Sequence, residues 1–380
     1  MDNRARITLA SFLAYFLMSG MLAPIGIIST PMAEALGVQV SEATALFSWL
    51  TFGILGGAVA ALVVLDKLGL RAVFLGVYTA IAAALISLNG NDIQLIISVA
   101  LGIIGFGCGV GLAAAALTIA QSYTPKVRAS LLVVTDGAFS VAGIACAALA
   151  GYALKNNWHW AFGYACLTIV AFAIVVLAAS SRYPSQNVEA ERIDSQWPAT
   201  VVLCVVALFL YTLGQYGILW WLPSHLDDQN VMPLTEAGTL VERFWTGMFI
   251  AQIAVAWLVL KTGARRLALV AGFGTLTGSV ALWSVTNAVW LPVLALSWGI
   301  ANLGFLKVTL SFATEQIPRP TSRLVSMLLL GATSGTAVSP WVTSRIAETF
   351  DTMTVLRFSS GCYAIMLGLV IAAIMMRKRD

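Results

Sequence analysis

Residues 66–71 read Asp66-Lys67-Leu68-Gly69-Leu70-Arg71, and residues 261–266 read Lys261-Thr262-Gly263-Ala264-Arg265-Arg266. Gly69 and Gly263 are 194 positions apart, as are Arg71 and Arg265. Each stretch is a short basic connection between two apolar runs, 42–65 and 71–89 in the first case, 242–260 and 266–286 in the second. Further out, Phe12-Leu13-Ala14-Tyr15 aligns with Leu208-Phe209-Leu210-Tyr211 at an offset of 196. The chain thus reads as two copies of one unit, with chance likeness among apolar helices as the competing explanation.

The remaining apolar runs lie near residues 7–30, 93–120, 129–153, 158–181, 198–222, 289–317, 323–346 and 354–376, which makes twelve in all. Each has, or nearly has, the roughly 20 residues that cross a hydrocarbon core. Composition agrees: 59% of the 380 residues are hydrophobic, 10% are charged and the mean hydropathy is +0.90. A soluble fold carries about a quarter charged residues. At about 32 residues per span and connection, the length holds about twelve spans and no catalytic domain. Soluble enzymes, disordered chains and secreted disulfide scaffolds are excluded.

The 32 glycines suit helices packed closely in lipid. Cys108, Cys146, Cys166, Cys204 and Cys362 each lie inside an apolar run without paired spacing, and read as packing residues. Met1 to Arg6 precede an apolar run that continues to about Thr30 without a small-residue cleavage site, so this start is expected to be a retained first span rather than a signal peptide. The glycines of the fourth run are followed by no Lys-Ser or Lys-Thr, so they form no phosphate loop. His159 and His225 have no nucleophile at catalytic spacing, and no enzyme is expected.

Sixteen of the 21 Lys and Arg residues fall in alternate connections, on one side of the expected membrane. The positive-inside rule makes that side cytoplasmic and puts both termini there, which demands an even number of spans. The longest polar connection, 182–197, divides the chain into 1–181 and 198–380. The expected fold is an all-α integral membrane protein of twelve transmembrane helices in two six-helix bundles, located in a bacterial inner membrane. Parallel-repeat secondary transporters are built this way.

Two ionisable residues lie deep within runs. Asp136 is about 10 Å and Lys307 about 15 Å from the cytoplasmic face at 1.5 Å per residue, one in each half. A charge at such depth costs at least about 2.5–3.5 kcal/mol, and normally faces water or a partner. Asp136 is read as the proton-coupling group, and Lys307 as its counter-ion or as the docking point for an anionic substrate group. The structural alternatives are a hydrogen bond from Asp136 to a neighbouring helix end, and snorkelling of Lys307 to the surface.

The first connection resembles the loop signature of the major facilitator superfamily through Asp66, Lys67, Gly69 and Arg71, departing from it at Leu62 and Leu70. Residues 208–223, Leu-Phe-Leu-Tyr-Thr-Leu-Gly-Gln-Tyr-Gly-Ile-Leu-Trp-Trp-Leu-Pro, resemble the fucose permease branch and within it TsgA-type transporters, as do 236–241, Phe244-Trp245, Thr309 to Gln316, and Thr135-Asp136 with 139–143. The resemblance implies a two-bundle alternating-access transporter, often proton-coupled and often sugar-related. It places Asp66, Lys67, Gly69, Arg71, Arg265 and Arg266 in gating loops. It puts spans one, four, seven and ten around the cavity, so that Gln215 and Asn302 supply amides and Tyr15, Tyr211 and Tyr216 supply rings for a substrate. Span one lacks the acid of fucose permeases, and Gln215 stands where many sugar-carrying relatives have glutamate, which disfavours fucose itself. The fifth span lacks the antiporter proline, which disfavours drug export.

The leading expectation is a secondary active transporter of a small polar solute, sugar-like or anionic and proton-coupled. It would be a monomer in contact with substrate, protons and the lipid bilayer, with no cofactor, metal or nucleic acid. The competing readings are an exporter of a drug-like or siderophore-like metabolite, and a sensor without flux.

Overall fold

The computed structural model describes residues 2–184, 198–314 and 322–377. The side chains of Asp66 and Lys307 lie outside what is described, as does most of the 182–197 connection. The chain divides into two compact units, Met1–Glu191 and Arg192–Asp380. In the first unit the helices are α1 (Asn3–Leu22), α2 (Ile25–Leu36), α3 (Val40–Leu68), α4 (Leu70–Leu88), α5 (Gln94–Ser122), α6 (Pro125–Lys155) and α7 (Phe162–Ala179). In the second they are α8 (Ala199–Asp228), α9 (Leu234–Thr262), α10 (Ala264–Ser284), α11 (Leu291–Thr314), α12 (Ser322–Thr349) and α13 (Thr352–Arg377). Among the described residues, nine helices are long and apolar enough to cross a membrane.

The expected single first span is two helices. Pro24 has no N–H to donate and its ring collides with the carbonyl four residues back, so α1 stops at Leu22. Helical bonding resumes with the Ile27 and Ile28 amides on the Pro24 carbonyl, at 2.9 and 3.0 Å. The Tyr164 hydroxyl from α7 donates to the Met21 carbonyl beside the break, at 2.7 Å.

The internal duplication is visible in backbone detail within each unit. A Cβ at Gly53 of α3 would lie 2.8 Å from the Gly102 carbonyl of α5, and one at Gly247 of α9 would collide with the Leu296 carbonyl of α11. Gly105 faces the Leu50 carbonyl as Gly299 faces the Phe244 carbonyl. All four pairs of equivalents, Gly53 and Gly247, Gly102 and Leu296, Gly105 and Gly299, Leu50 and Phe244, are 194 positions apart. These are places where two helix backbones touch, and only hydrogen fits between them. The connecting glycines match as well: Gly69 has φ 71° and ψ 151°, Gly263 φ 77° and ψ 147°, a conformation open to glycine and strained for other residues.

Candidate functional site

In the first unit the deep acid lies on α6, which begins at Pro125, four residues before the expected start of that span. Asp136 is therefore eleven residues, about 16 Å, along the helix, and is half-buried. The adjacent Thr135 is buried, and its hydroxyl is hydrogen-bonded to that of Tyr15 on α1. Asp136 is close enough to act electrostatically on the same tyrosine. Tyr15 and Asp136, assigned from the sequence to different roles, thus belong to one polar cluster between α1 and α6. Thr135 joins them, and its position beside Asp136 was the signal for it. The side chain of Lys307 lies outside the described residues.

In the second unit α8 is buried without interruption from Tyr211 to Leu226. Its neighbours explain how. Gly214 and Gly217 admit α13, where added Cβ atoms would meet the Ser359 carbonyl and hydroxyl. Gly335 of α12 faces the Phe209 carbonyl, and the Thr212 hydroxyl donates to the Ala332 carbonyl of α12 at 2.6 Å. Between these contacts stand the polar side chains of interest. Gln215 is 3% exposed, and its amide has no hydrogen-bond partner among the described residues. The Tyr211 hydroxyl and the Trp221 Nε1 are fully buried and have no partner among the described residues. Tyr211 packs its ring on Phe305 of α11, centroids 5.4 Å apart. Tyr216 lies over Trp220 at 4.8 Å, with planes 32° apart.

Asn302 is placed differently from the other expected binding residues. Its Nδ2 donates to the Trp298 carbonyl at 2.8 Å, and its Oδ1 accepts from the Tyr363 hydroxyl at 3.0 Å. Trp298 Nε1 in turn donates to the Thr275 carbonyl at 3.1 Å. That chain of bonds ties α10, α11 and α13 together, so the amide already serves the packing of the bundle. Tyr363 and Trp298 were not singled out in the sequence, since each shares its apolar run with at least one other aromatic.

The loop residues hold helix ends. Arg71 Nη2 donates to the Ala179 carbonyl at the end of α7, 2.7 Å away, and Arg265 Nη2 donates to the Ile374 carbonyl near the end of α13, 3.1 Å away. Arg6 adds a bond to the Ser180 carbonyl at 2.9 Å. The last carbonyls of a helix lack intrahelical donors and carry partial negative charge, so cations suit them. The bases of these loops thus hold helix ends, and the side chain of Asp66 lies outside the described residues. Lys67 and Arg266 are exposed.

A chain with this many membrane-crossing helices, arranged as two copies of one helical motif, is a multi-pass membrane protein of the parallel-repeat kind. The chain belongs to the Major Facilitator Superfamily, whose sequence pattern matches residues 7–340. It is a transporter and not an enzyme. It is 28% identical over 378 residues to Protein TsgA of Shigella flexneri, with 96% of this chain and 93% of the relative covered, and equally to Protein TsgA of Shigella sonnei. Its fold is similar to that of the nucleoside transporter NupG, with a TM-score of 0.73, 14% identity and coverage of 98% of this chain and 99% of that one. A D-xylose-proton symporter matches with a TM-score of 0.73, 15% identity, and 98% and 96% coverage.

Proposed function

We propose that the protein is a proton-coupled secondary transporter moving a small polar solute, sugar-like or anionic, across the inner membrane by alternating access. Twelve spans, with α1 and α2 together forming the first, put both termini on the cytoplasmic side. The observation that carries the reading is Gln215. A carboxamide in the buried part of α8 with no hydrogen-bond partner among the described residues keeps its donors and its acceptor open. A ligand hydroxyl, carbonyl or amine can take them. The Tyr211 hydroxyl one turn away and the Tyr216 ring beside it add a second polar group and a flat apolar surface, the combination that recognises a ring bearing hydroxyls.

Asp136 takes and releases the proton, in a cluster where Tyr15 and Thr135 can redistribute hydrogen bonds as the carboxylate changes charge. Lys307 docks an anionic group or serves as counter-ion to Asp136. Asn302 contributes to the site through the Tyr363 network that fixes its helix.

The first experiment is a thermal-stabilisation screen of the purified protein against pentoses, hexoses, sugar acids, nucleosides and small carboxylates, since a ligand that binds only the folded state raises the melting temperature. Hits are then measured for counterflow exchange in proteoliposomes. Polyhydroxylated solutes are expected to stabilise and to exchange. A protein stabilised only by bulky apolar compounds, or one that binds solutes and exchanges none, would overturn the assignment in favour of an exporter or a sensor.

A further inference from the structure

The first unit has a concave feature lined by α3, α4 and α5, and none of its lining residues belongs to the Tyr15–Asp136 cluster. α3 and α4 both pack on α5 but touch each other little, which leaves a groove of about 780 Å³ with α5 as its floor. It runs from Trp49 and Leu95 at one end to Leu68 and Ala72 at the other. Nineteen residues of α3 separate Trp49 from Leu68, which is about 28 Å of helix, close to the roughly 30 Å thickness of a bilayer core. Among the described residues Ser98 supplies the one hydroxyl of its lining, and Trp49 at one end the one indole N–H.

Two lining residues, Gly76 of α4 and Gly102 of α5, set the depth of the groove. An added Cβ would meet nothing within 4 Å at either. This separates them from Gly53 and Gly105, where a neighbouring backbone excludes any side chain. A mid-helix glycine costs roughly 0.5–1 kcal/mol relative to alanine, and close helix packing accounts for neither one. What they provide is open space along an apolar channel.

The charge at the two ends differs. At the Leu68 end stand Lys67 and Arg71, both exposed, and the only acid in the sequence from 62 to 71 is Asp66. Lys67 has no ion-pair partner among the described residues, and the one hydrogen bond of Arg71 among them runs from Nη2 to the Ala179 carbonyl, out of five donors. The mouth is thus cationic and the length apolar.

We propose that this groove binds one anionic phospholipid, an acyl chain lying between α3 and α4 and the phosphate held by Lys67 and Arg71. An apolar channel ending at two bases complements a molecule with a hydrocarbon tail and a negatively charged head. Because Arg71 also holds the end of α7, the lipid phosphate would stand beside the contact that links α4 to α7. A membrane lipid would then bear directly on the loop joining α3 to α4.

The test is native mass spectrometry of the full chain after incubation with phosphatidylglycerol and phosphatidylcholine of identical chains, in equal amounts. One retained phosphatidylglycerol per chain is expected, in preference to phosphatidylcholine. Lys67→Gln should reduce that preference about fivefold, the equivalent of about 1 kcal/mol per base at an anionic surface. Gly76→Leu combined with Gly102→Leu should abolish retention of both lipids, and soluble glycerol 3-phosphate should not compete. Equal retention of the two lipids, undiminished retention in the groove-filled variant, or displacement by glycerol 3-phosphate would overturn the proposal. A second measurement needs no variant: phosphatidylglycerol with a photoreactive group in its tail should label the wild-type protein at Val64, Val77 and Val99, and labelling spread over other helices would refute the site.

Discussion

Replacing Gln215 by leucine separates a binding amide from a structural one. The substitution conserves most of the side-chain volume and removes a buried amide that has no partner among the described residues. If the amide waits for a ligand, the empty protein is relieved of at most about 1 kcal/mol, the low end for an unmet polar group, because the amide atoms are not among the fully buried unpaired ones. For a unit of the size of Arg192–Asp380, each kcal/mol corresponds to about 2–4 °C in melting temperature, so a rise of up to about 2–4 °C is expected. The same variant should lose one or two hydrogen bonds to the solute, each worth about 0.5–1.5 kcal/mol, and so bind it about 2- to 100-fold more weakly. The assay is a pair of thermal melts on detergent-purified protein, with and without a solute found in the screen. Opposite signs, a more stable empty protein with weaker stabilisation by solute, are the signature of a binding residue. A variant that melts lower and keeps its response to solute would refute the reasoning, because it would show Gln215 to be a packing residue.

Tyr363→Phe should behave in the opposite way. It leaves the Asn302 Oδ1 unpaired in a fully buried site and lowers stability by about 1–3 kcal/mol, as melts will report. At Gly299 an alanine Cβ would press on the Phe244 carbonyl, while at Gly368 it meets nothing within 4 Å. Gly299→Ala should cost about 1–3 kcal/mol and show as reduced monodisperse yield, with Gly368→Ala neutral or slightly stabilising. Asp351 caps α13: the Thr354 amide donates to it at 2.7 Å, and the Thr354 hydroxyl and amide hold its carboxyl below the usual range. A lowered folded-state value means that its contribution is present above the ordinary carboxylate range and is lost as pH falls through the folded value. Asp351→Ala should therefore destabilise by about 1 kcal/mol at neutral pH, and the difference from wild type should fade in strong acid.

How much of this was legible before the structure depends on what each feature needed. The paired glycines 69 and 263 and the paired arginines 71 and 265 stand out because a polar connection is conspicuous against apolar runs. Gly53 with Gly247 and Gly105 with Gly299 keep the same 194-residue spacing, yet among 32 glycines in apolar helices their spacing carries no visible signal. The backbone contacts alone reveal it. The break after Leu22 was readable in principle, because Pro24 stands in mid-run, but hydropathy passes over a proline. Asn302 looked like a free amide because its partner Tyr363 is 61 residues away, and nothing local links them. Gln215 has the converse character: its type and span suggested binding, but only the packing of α8 reveals that no neighbour uses its amide. Asp136 was conspicuous as a lone acid in an apolar run, and Tyr15 joins it through a helix contact that periodicity does not encode.

The central claim, that solute movement is driven by protons through Asp136, is met most directly by uptake into proteoliposomes under an imposed proton gradient, comparing wild type with Asp136→Asn. The account predicts that wild type accumulates solute above the external concentration when the gradient is applied and not when it is collapsed. Asp136→Asn should retain counterflow exchange and lose accumulation. Full gradient-driven accumulation in Asp136→Asn would contradict it, as would wild-type uptake indifferent to the gradient.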